Sequence, residues 1–370
     1  MDFEFSEEQE ALRASVRRFV EERAPLGWVR DRYDDPRGTT DDVWSGLADL
    51  GVLGLLVPDA HGGAGGGMVD AALVLETLGR SVHPGPYASS AIGAVGLVLD
   101  AGAAADHAAM LPGLADGSSV GTVALLEPSR RAEWRNPTTT ARADGDAWRL
   151  DGTKIHVPDL MAATTVLTTA TDLAGVVGAF VVDVAAPGTT TRPTPTVDGS
   201  RKEGTLTLEG VSAHRLGGDA APAIAATVDR LAIAAVVEGV GTAERALELS
   251  TEYAKERRQF DAPIGSFQAV QHLCADMLRA VELARAAGYY ACWAADEADP
   301  AERHRAATMA LAFAGDELYG VGASAVQIHA GIGFTWEHDL HLFYKRLLTL
   351  QQTGGGSVDQ LEELASIALA

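Results

Sequence analysis

Thr164-Thr165-Val166-Leu167-Thr168-Thr169-Ala170 and, a few residues on, Val176-Val177-Gly178-Ala179-Phe180-Val181-Val182-Asp183-Val184 decide the fold. β-Branched residues dominate both runs, and no apolar residue recurs at helical spacing. The same texture extends from about Ser119 to His214. It predicts further strands over Val120–Leu126, Trp148–Val157 and Thr205–Leu208. Asp144-Gly145-Asp146 and Asp151-Gly152 read as turns between them. The block predicts a small antiparallel β domain.

The sequence on either side is helical. Phe5-Ser6-Glu7-Glu8-Gln9 carries a capping box, with Ser6 at the N-cap and Gln9 three residues later. Leu12, Val16, Phe19 and Val20 follow at helical spacing. A second helix is expected from Asp41 through Trp44, Leu47 and Leu50, ending at Gly51, and another over Val69–Leu78. Beyond Ala221 the helices lengthen. Leu273, Met277, Ala280, Val281, Ala284, Ala287, Gly288 and Ala291 make one apolar stripe, and Ala307, Leu311, Ala314, Leu318 and Val321 another. Spacing leaves open whether these stripes are core or an oligomer seam. The expected division is a helical domain over 1–118, a β domain over 119–216 and a helical domain over 217–370. One β block between two helical blocks argues against a βαβ parallel sheet and gives an α+β class.

At 370 residues the chain is long enough for two or three domains. Against 29 Lys and Arg stand 51 Asp and Glu, a net charge of −22. That field repels nucleic acid and anionic membranes and confines any anionic ligand to a local basic patch. No apolar run reaches a bilayer span of about 20 residues, and the acidic start Met1–Glu4 is unlike a secretory signal. Two isolated cysteines, Cys274 and Cys292, suit a reducing cytoplasmic setting.

The run Gly62–Gly67 lacks the strand and the Lys-Ser/Thr pair of a phosphate loop and reads as a plain loop. His329, His338 and His341 do not have HExxH spacing, so no metal is expected. No GxSxG elbow occurs. Two segments ask for more than structure. Glu256-Arg257-Arg258-Gln259-Phe260-Asp261-Ala262-Pro263-Ile264-Gly265-Ser266-Phe267-Gln268 puts two guanidinium groups at a helix end. That favours the helix dipole and also suits a pyrophosphate. Gln327-Ile328-His329-Ala330-Gly331-Ile332-Gly333-Phe334 is a turn of small residues, suited either to a helix C-cap or to close approach of a ligand to the backbone.

Together these segments resemble the acyl-CoA dehydrogenase family of flavoproteins over nearly the whole chain. Phe5–Gln9, Trp44–Pro58 with Gly62-Gly63, and Leu75-Glu76-Thr77-Leu78-Gly79-Arg80 are similar to family segments. Arg257–Gln268 looks like the family's R-x-x-F-G…Q motif, Gln327–Phe334 like its Q-x-x-G-G-x-G-F turn. Phe334-Thr335-Trp336-Glu337-His338-Asp339 resembles an actinobacterial branch that includes steroid-degrading subunits. The resemblance implies an N-terminal helical domain, a middle β domain and a C-terminal four-helix bundle. It also implies FAD and α,β-dehydrogenation of an acyl-CoA thioester, with Arg257, Phe260, Gln268, Gln327, Ala330, Gly331, Leu126 and His156 as cofactor residues. Homodimers, homotetramers or an α2β2 assembly with a second family chain are expected.

The resemblance also marks departures. The family base lies in a Y-E-G-T segment, where this chain has Gly354. Some members carry it on an earlier helix before an arginine; here that place holds Asp229, followed by Arg230, with Glu238 a lesser candidate. The T-E-P-G-x-G-S strand end appears as Leu126-Glu127-Pro128-Ser129-Arg130-Arg131-Ala132, and the W-I-T segment as His156-Val157-Pro158. Asp261 and Ala330 stand where glycines are usual. A chain that lacks a base but completes the FAD site of an active partner is one alternative, and a same-fold monooxygenase or carrier-bound acyl oxidase another.

Overall fold

The computed structural model describes residues 5–145 and 147–369. Met1–Glu4 and Asp146 of the expected turn lie outside the described residues. The helices among the described residues are α1 (Glu7–Arg23), α2 (Leu26–Asp31), α3 (Asp41–Asp49), α4 (Met68–Arg80), α5 (Val95–Ala101), α6 (Ala104–Ala115), α7 (Ala221–Glu256), α8 (Gln268–Glu297), α9 (Pro300–His329), α10 (Leu340–Gln352) and α11 (Ser357–Leu369). A π-helix over Ala88–Ala94 leads into α5. The main sheet holds β1 (Gly121–Ala124), β2 (Thr140–Asp144), β3 (Ala147–Pro158), β4 (Thr165–Asp172), β5 (Val177–Asp183), β6 (Thr189–Thr194) and β7 (Glu203–Leu216). No helix among the described residues is long and apolar enough to cross a membrane.

The chain folds as two compact units. One collects the residues up to Val29, Ala72–His83 and everything from Ala232. Here the capping box closes α1 as its sequence requires: the Ser6 hydroxyl accepts from Gln9 N–H at 3.2 Å and the Gln9 side chain accepts from Ser6 N–H at 3.0 Å. Met277, Ala280, Val281, Ala284, Gly288 and Ala291 of α8 are buried, as are Ala307, Leu311, Ala314, Leu318 and Val321 of α9. These apolar stripes are therefore core. α9 packs on α8, α10 and α11.

The 72–80 part of α4 lies against α7 at a notch of two glycines. A Cβ on Gly79 would stand 2.0 Å from the Glu238 carbonyl oxygen, and one on Gly241 1.9 Å from that of Glu76. Only residues without a side chain permit that approach. It brings together a set of paired charges. Arg80 pairs with Glu244 and Glu248, and Arg285 of α8 with Glu76 and Glu244.

The other unit comprises Arg30–Ala71 and Pro84–Leu231. In it β4, β2, β3, β7 and β5 pair in turn, and β5 returns to β4, so the sheet closes on itself; β1 extends β4 and β6 extends β7. Five pairings are antiparallel, and β1–β4 and β2–β4 run parallel. Leu150, Val166, Phe180, Leu206 and Val211 fill one apolar cluster of this unit. Leu97, Val98, Leu111, Leu114, Val123 and Leu167 belong to a second, which joins α5 and α6 to the sheet. β2 and β6 were not expected. Both are polar, Thr-Ala-Arg-Ala-Asp and Thr-Thr-Thr-Arg-Pro-Thr, with Ala141 alone fully buried, and read as loop by composition.

Candidate functional site

In the helical unit, the two unusual segments meet. α7 ends at Glu256, and a two-residue hairpin follows, Arg258–Gln259 paired with Ala262–Pro263. Its loop residues Phe260 and Asp261 have φ of 51° and 60°. Two successive positive φ values are what a tight hairpin requires, and glycine or asparagine usually supplies them. Here Phe260 and Asp261 bear the strain, of order 1–2 kcal/mol per residue. Arg258 helps to hold the loop, its guanidinium donating to the Asp261 carbonyl at 2.6 Å. The hairpin presents Phe260 to solvent at 91% exposure, with the Phe267 ring 6.3 Å away.

Tyr253, one turn before Arg257, stacks on His329 with ring centroids 4.5 Å apart. His329 ends α9, and the Ala330–Phe334 turn follows it. The stack therefore sets the Arg257 hairpin beside the Gln327–Phe334 turn. His329 is buried and its Nδ1 faces the Ala325 carbonyl at 2.9 Å; burial lowers its pKa, and the nearby His338 ring lowers it further. Ala330 takes φ 55° and ψ −141°, a conformation glycine adopts more easily.

The side chains of Arg257, Gln268 and Gln327 are exposed and have no partner among the described residues. A Cβ on Gly331 would meet nothing within 4 Å, so packing does not explain that glycine. One guanidinium and two carboxamides, unsatisfied beside an open backbone, form a donor set that fits a dinucleotide: bidentate donation to phosphate from arginine and amide contacts to a base or ribose. No group of three or more His, Cys, Asp or Glu among the described residues could hold a metal.

In the β unit, Leu126 and His156 come together. The Leu126 carbonyl accepts from Ile155 N–H at 2.9 Å. Beneath them Lys154, fully buried, donates to Glu127, 2% exposed, at 2.8 Å. Glu127 also accepts from the backbone and hydroxyls of Thr138 and Thr139. Burial would raise the Glu127 pKa, but these hydrogen bonds and the Lys154 charge outweigh it and hold the carboxyl at about 2. Burial pushes Lys154 down to about 8 against the pull of Glu127, so the pair is ionised at neutral pH. Sequence reasoning missed this pair, because nothing in the mixed polar and apolar strand around Lys154 marks that residue as buried. His156 follows with φ 51°, and its Nδ1 lies 2.6 Å from Glu203 of β7.

Also in the β unit, Asp229 on α7 is 3% exposed. Arg230 pairs with Asp100 of α5, Nη1 to Oδ2 at 2.5 Å. In the helical unit Glu238 pairs with Arg346 of α10, and Arg346 also donates to the carbonyls of Val82 and His83. Both partners are buried. Gly354 stands after α10 with φ 63°.

The fold and these donor sets define a helical and β-barrel protein equipped for a dinucleotide. Comparison with known proteins narrows this further. Residues 6–118 match the family model "Acyl-CoA dehydrogenase, N-terminal domain" and residues 222–368 match "Acyl-CoA dehydrogenase, C-terminal domain". The chain is 33% identical to acyl-CoA dehydrogenase IpdE2 of Mycobacterium tuberculosis over 92% of its own length and 91% of that protein's. Among solved structures, a variant of the Tcur3481-Tcur3483 steroid ACAD matches with a TM-score of 0.90 at 33% identity, covering 98% of each chain. The ChsE4-ChsE5 complex from Mycobacterium tuberculosis matches with a TM-score of 0.89 at 27% identity, over 100% of this chain and 99% of that one. The chain belongs to the acyl-CoA dehydrogenase family.

Proposed function

We propose that the chain serves FAD-dependent α,β-dehydrogenation of an acyl-CoA thioester. The observation that carries this reading is the unpartnered set of Arg257, Gln268 and Gln327, in a family whose members include FAD-dependent dehydrogenases. In the helical unit, Arg257 would hold the pyrophosphate of FAD, and Phe260, Gln268, Gln327, Ala330 and Gly331 its adenosine end. In the β unit, Leu126 and His156 would face a flavin ring. When bound, FAD supplies the hydride acceptor.

The chain's own residues divide the remaining work. Asp229, buried on α7, is the candidate to take the α-proton of the thioester. Arg230 beside it is fixed by Asp100 and anchors that turn of helix. Glu238 is less suited, since its carboxylate is bound to Arg346. Proton removal by Asp229 and hydride loss from the β-carbon together leave the α,β-unsaturated thioester. Anaerobic substrate should bleach the flavin absorption of the wild type and not that of Asp229→Asn. Bleaching of the Asn variant would remove Asp229 from the mechanism.

A second reading makes this chain the base-lacking partner of an active subunit. Gly354 at the usual place of the base favours it, as does similarity to two chain pairs, Tcur3481-Tcur3483 and ChsE4-ChsE5. It predicts activity only after co-expression with a second family chain. Turnover by the isolated chain would exclude it.

A further inference from the structure

The His156–Glu203 pair is not explained by the folding of β3. His156 has φ 51° within a strand, a strained conformation that persists only where its surroundings impose it. The register of β3 against β7 shifts between Lys154 and Val157, so the strand bulges at this residue. Bulges re-aim a side chain out of the ladder's alternation and are common beside active sites. The strand on one side is pinned by the buried Lys154–Glu127 pair and by the bond from Ile155 N–H to Leu126. The imidazole is thereby turned outward, with the His156 side chain 53% exposed and the Glu203 side chain 25% exposed. Its Nδ1 is committed to Glu203 at 2.6 Å, and Nε2 has no partner among the described residues. An anchored strand, a strained backbone and a carboxylate-held imidazole make a preorganised pair presented to a ligand.

We infer that His156 and Glu203 set the electron affinity of the flavin ring this unit faces. The inference rests on the FAD reading above and adds the group that tunes it. The reductant is the acyl-CoA thioester, whose β-carbon gives up a hydride, two electrons and one proton, while its α-proton goes to the base. The ring thereby gains negative charge. A bare carboxylate beside it would oppose that gain. The Nδ1–H of His156 caps Glu203 whether the imidazole is neutral or protonated. Removing the imidazole uncovers the charge.

The test is a spectroelectrochemical titration of the flavin-loaded protein, isolated or in complex with a second family chain, whichever retains FAD. The substitution is His156→Asn, because asparagine tolerates positive φ but is too short to cap Glu203. The two-electron reduction equilibrium should become about tenfold less favourable, about 30 mV lower in potential. His156→Asn combined with Glu203→Gln should return to near the wild-type potential, because the carboxylate is then gone. A merely structural role for the pair would leave the potential of every flavin-loaded variant unchanged. If His156→Asn binds FAD normally and keeps the wild-type potential, the inference is overturned while the FAD reading stands. If the wild type retains no FAD in either setting, both are overturned.

Discussion

Substituting Lys154 by methionine removes one half of a fully buried ion pair. The lysine is 0% exposed and sits 2.8 Å from Glu127, which is 2% exposed. Methionine fills most of the volume, so the loss is electrostatic. Breaking such a pair costs roughly 3–5 kcal/mol, because the remaining charge stays buried without a counter-charge. Glu127 keeps its hydrogen bonds from Thr138 and Thr139, which places the cost near the lower end. Linkage gives a similar size. A carboxyl held at about 2 instead of 4.5 contributes on the order of 3 kcal/mol above the unfolded value. The sign follows from the depressed pKa: this stability is present above about pH 4.5 and is lost as pH falls through about 2. Urea unfolding at pH 7 should show Lys154→Met destabilised by about 3 kcal/mol, and adding Glu127→Gln should recover much of it. In Lys154→Met, acid unfolding should begin at higher pH than in the wild type. A single variant within about 1 kcal/mol of wild type, or no recovery in the double variant, would refute the reasoning.

The glycine notch between α4 and α7 predicts that Gly79→Ala or Gly241→Ala forces the helices apart and lowers the unfolding free energy from urea denaturation by about 1–3 kcal/mol; Gly331→Ala, with nothing within 4 Å, should leave stability unchanged. Asp261→Gly should relieve the positive φ of the hairpin and remove a carboxylate four residues from Arg257, raising thermal stability and tightening flavin binding in a fluorescence titration. Asp261→Asn, which removes the charge and places a residue suited to positive φ, should show the binding gain with a smaller gain in stability.

Much of the fold was legible because local and tertiary demands agree. The Ser6–Gln9 box formed as its spacing requires, and the stripes on α8 and α9 are buried along the expected positions. Thr164–Ala170 and Val176–Val184 became β4 and β5 within two residues at each end. Strands β2 and β6 escaped because exposed strands carry no apolar alternation, and Pro193 in β6 is tolerated only away from the ladder's central positions. The parallel pairings of β4 were equally hidden, since strand direction depends on where the chain returns and not on any residue in the strand. The site divided in the same way. Arg257 stood out because paired guanidinium groups at a helix end are unusual in an acidic chain, and the Gln327–Phe334 turn because its residues are small. The residues that orient them, Tyr253 and His329, meet only through the fold. Glu203 was invisible for the same reason: 47 positions separate it from His156, and only the pairing of β3 with β7 joins them.

The central claim is that Arg257 and its unpartnered neighbours hold FAD. The direct measurement is the visible absorption spectrum of the purified protein, alone and co-expressed with a second family chain, with flavin counted per polypeptide for wild type and Arg257→Gln. The account predicts a stoichiometric flavin spectrum in at least one setting, lost in Arg257→Gln while the helical circular dichroism signal is unchanged. A colourless wild type in both settings, or a variant that keeps its full complement of flavin, would contradict it.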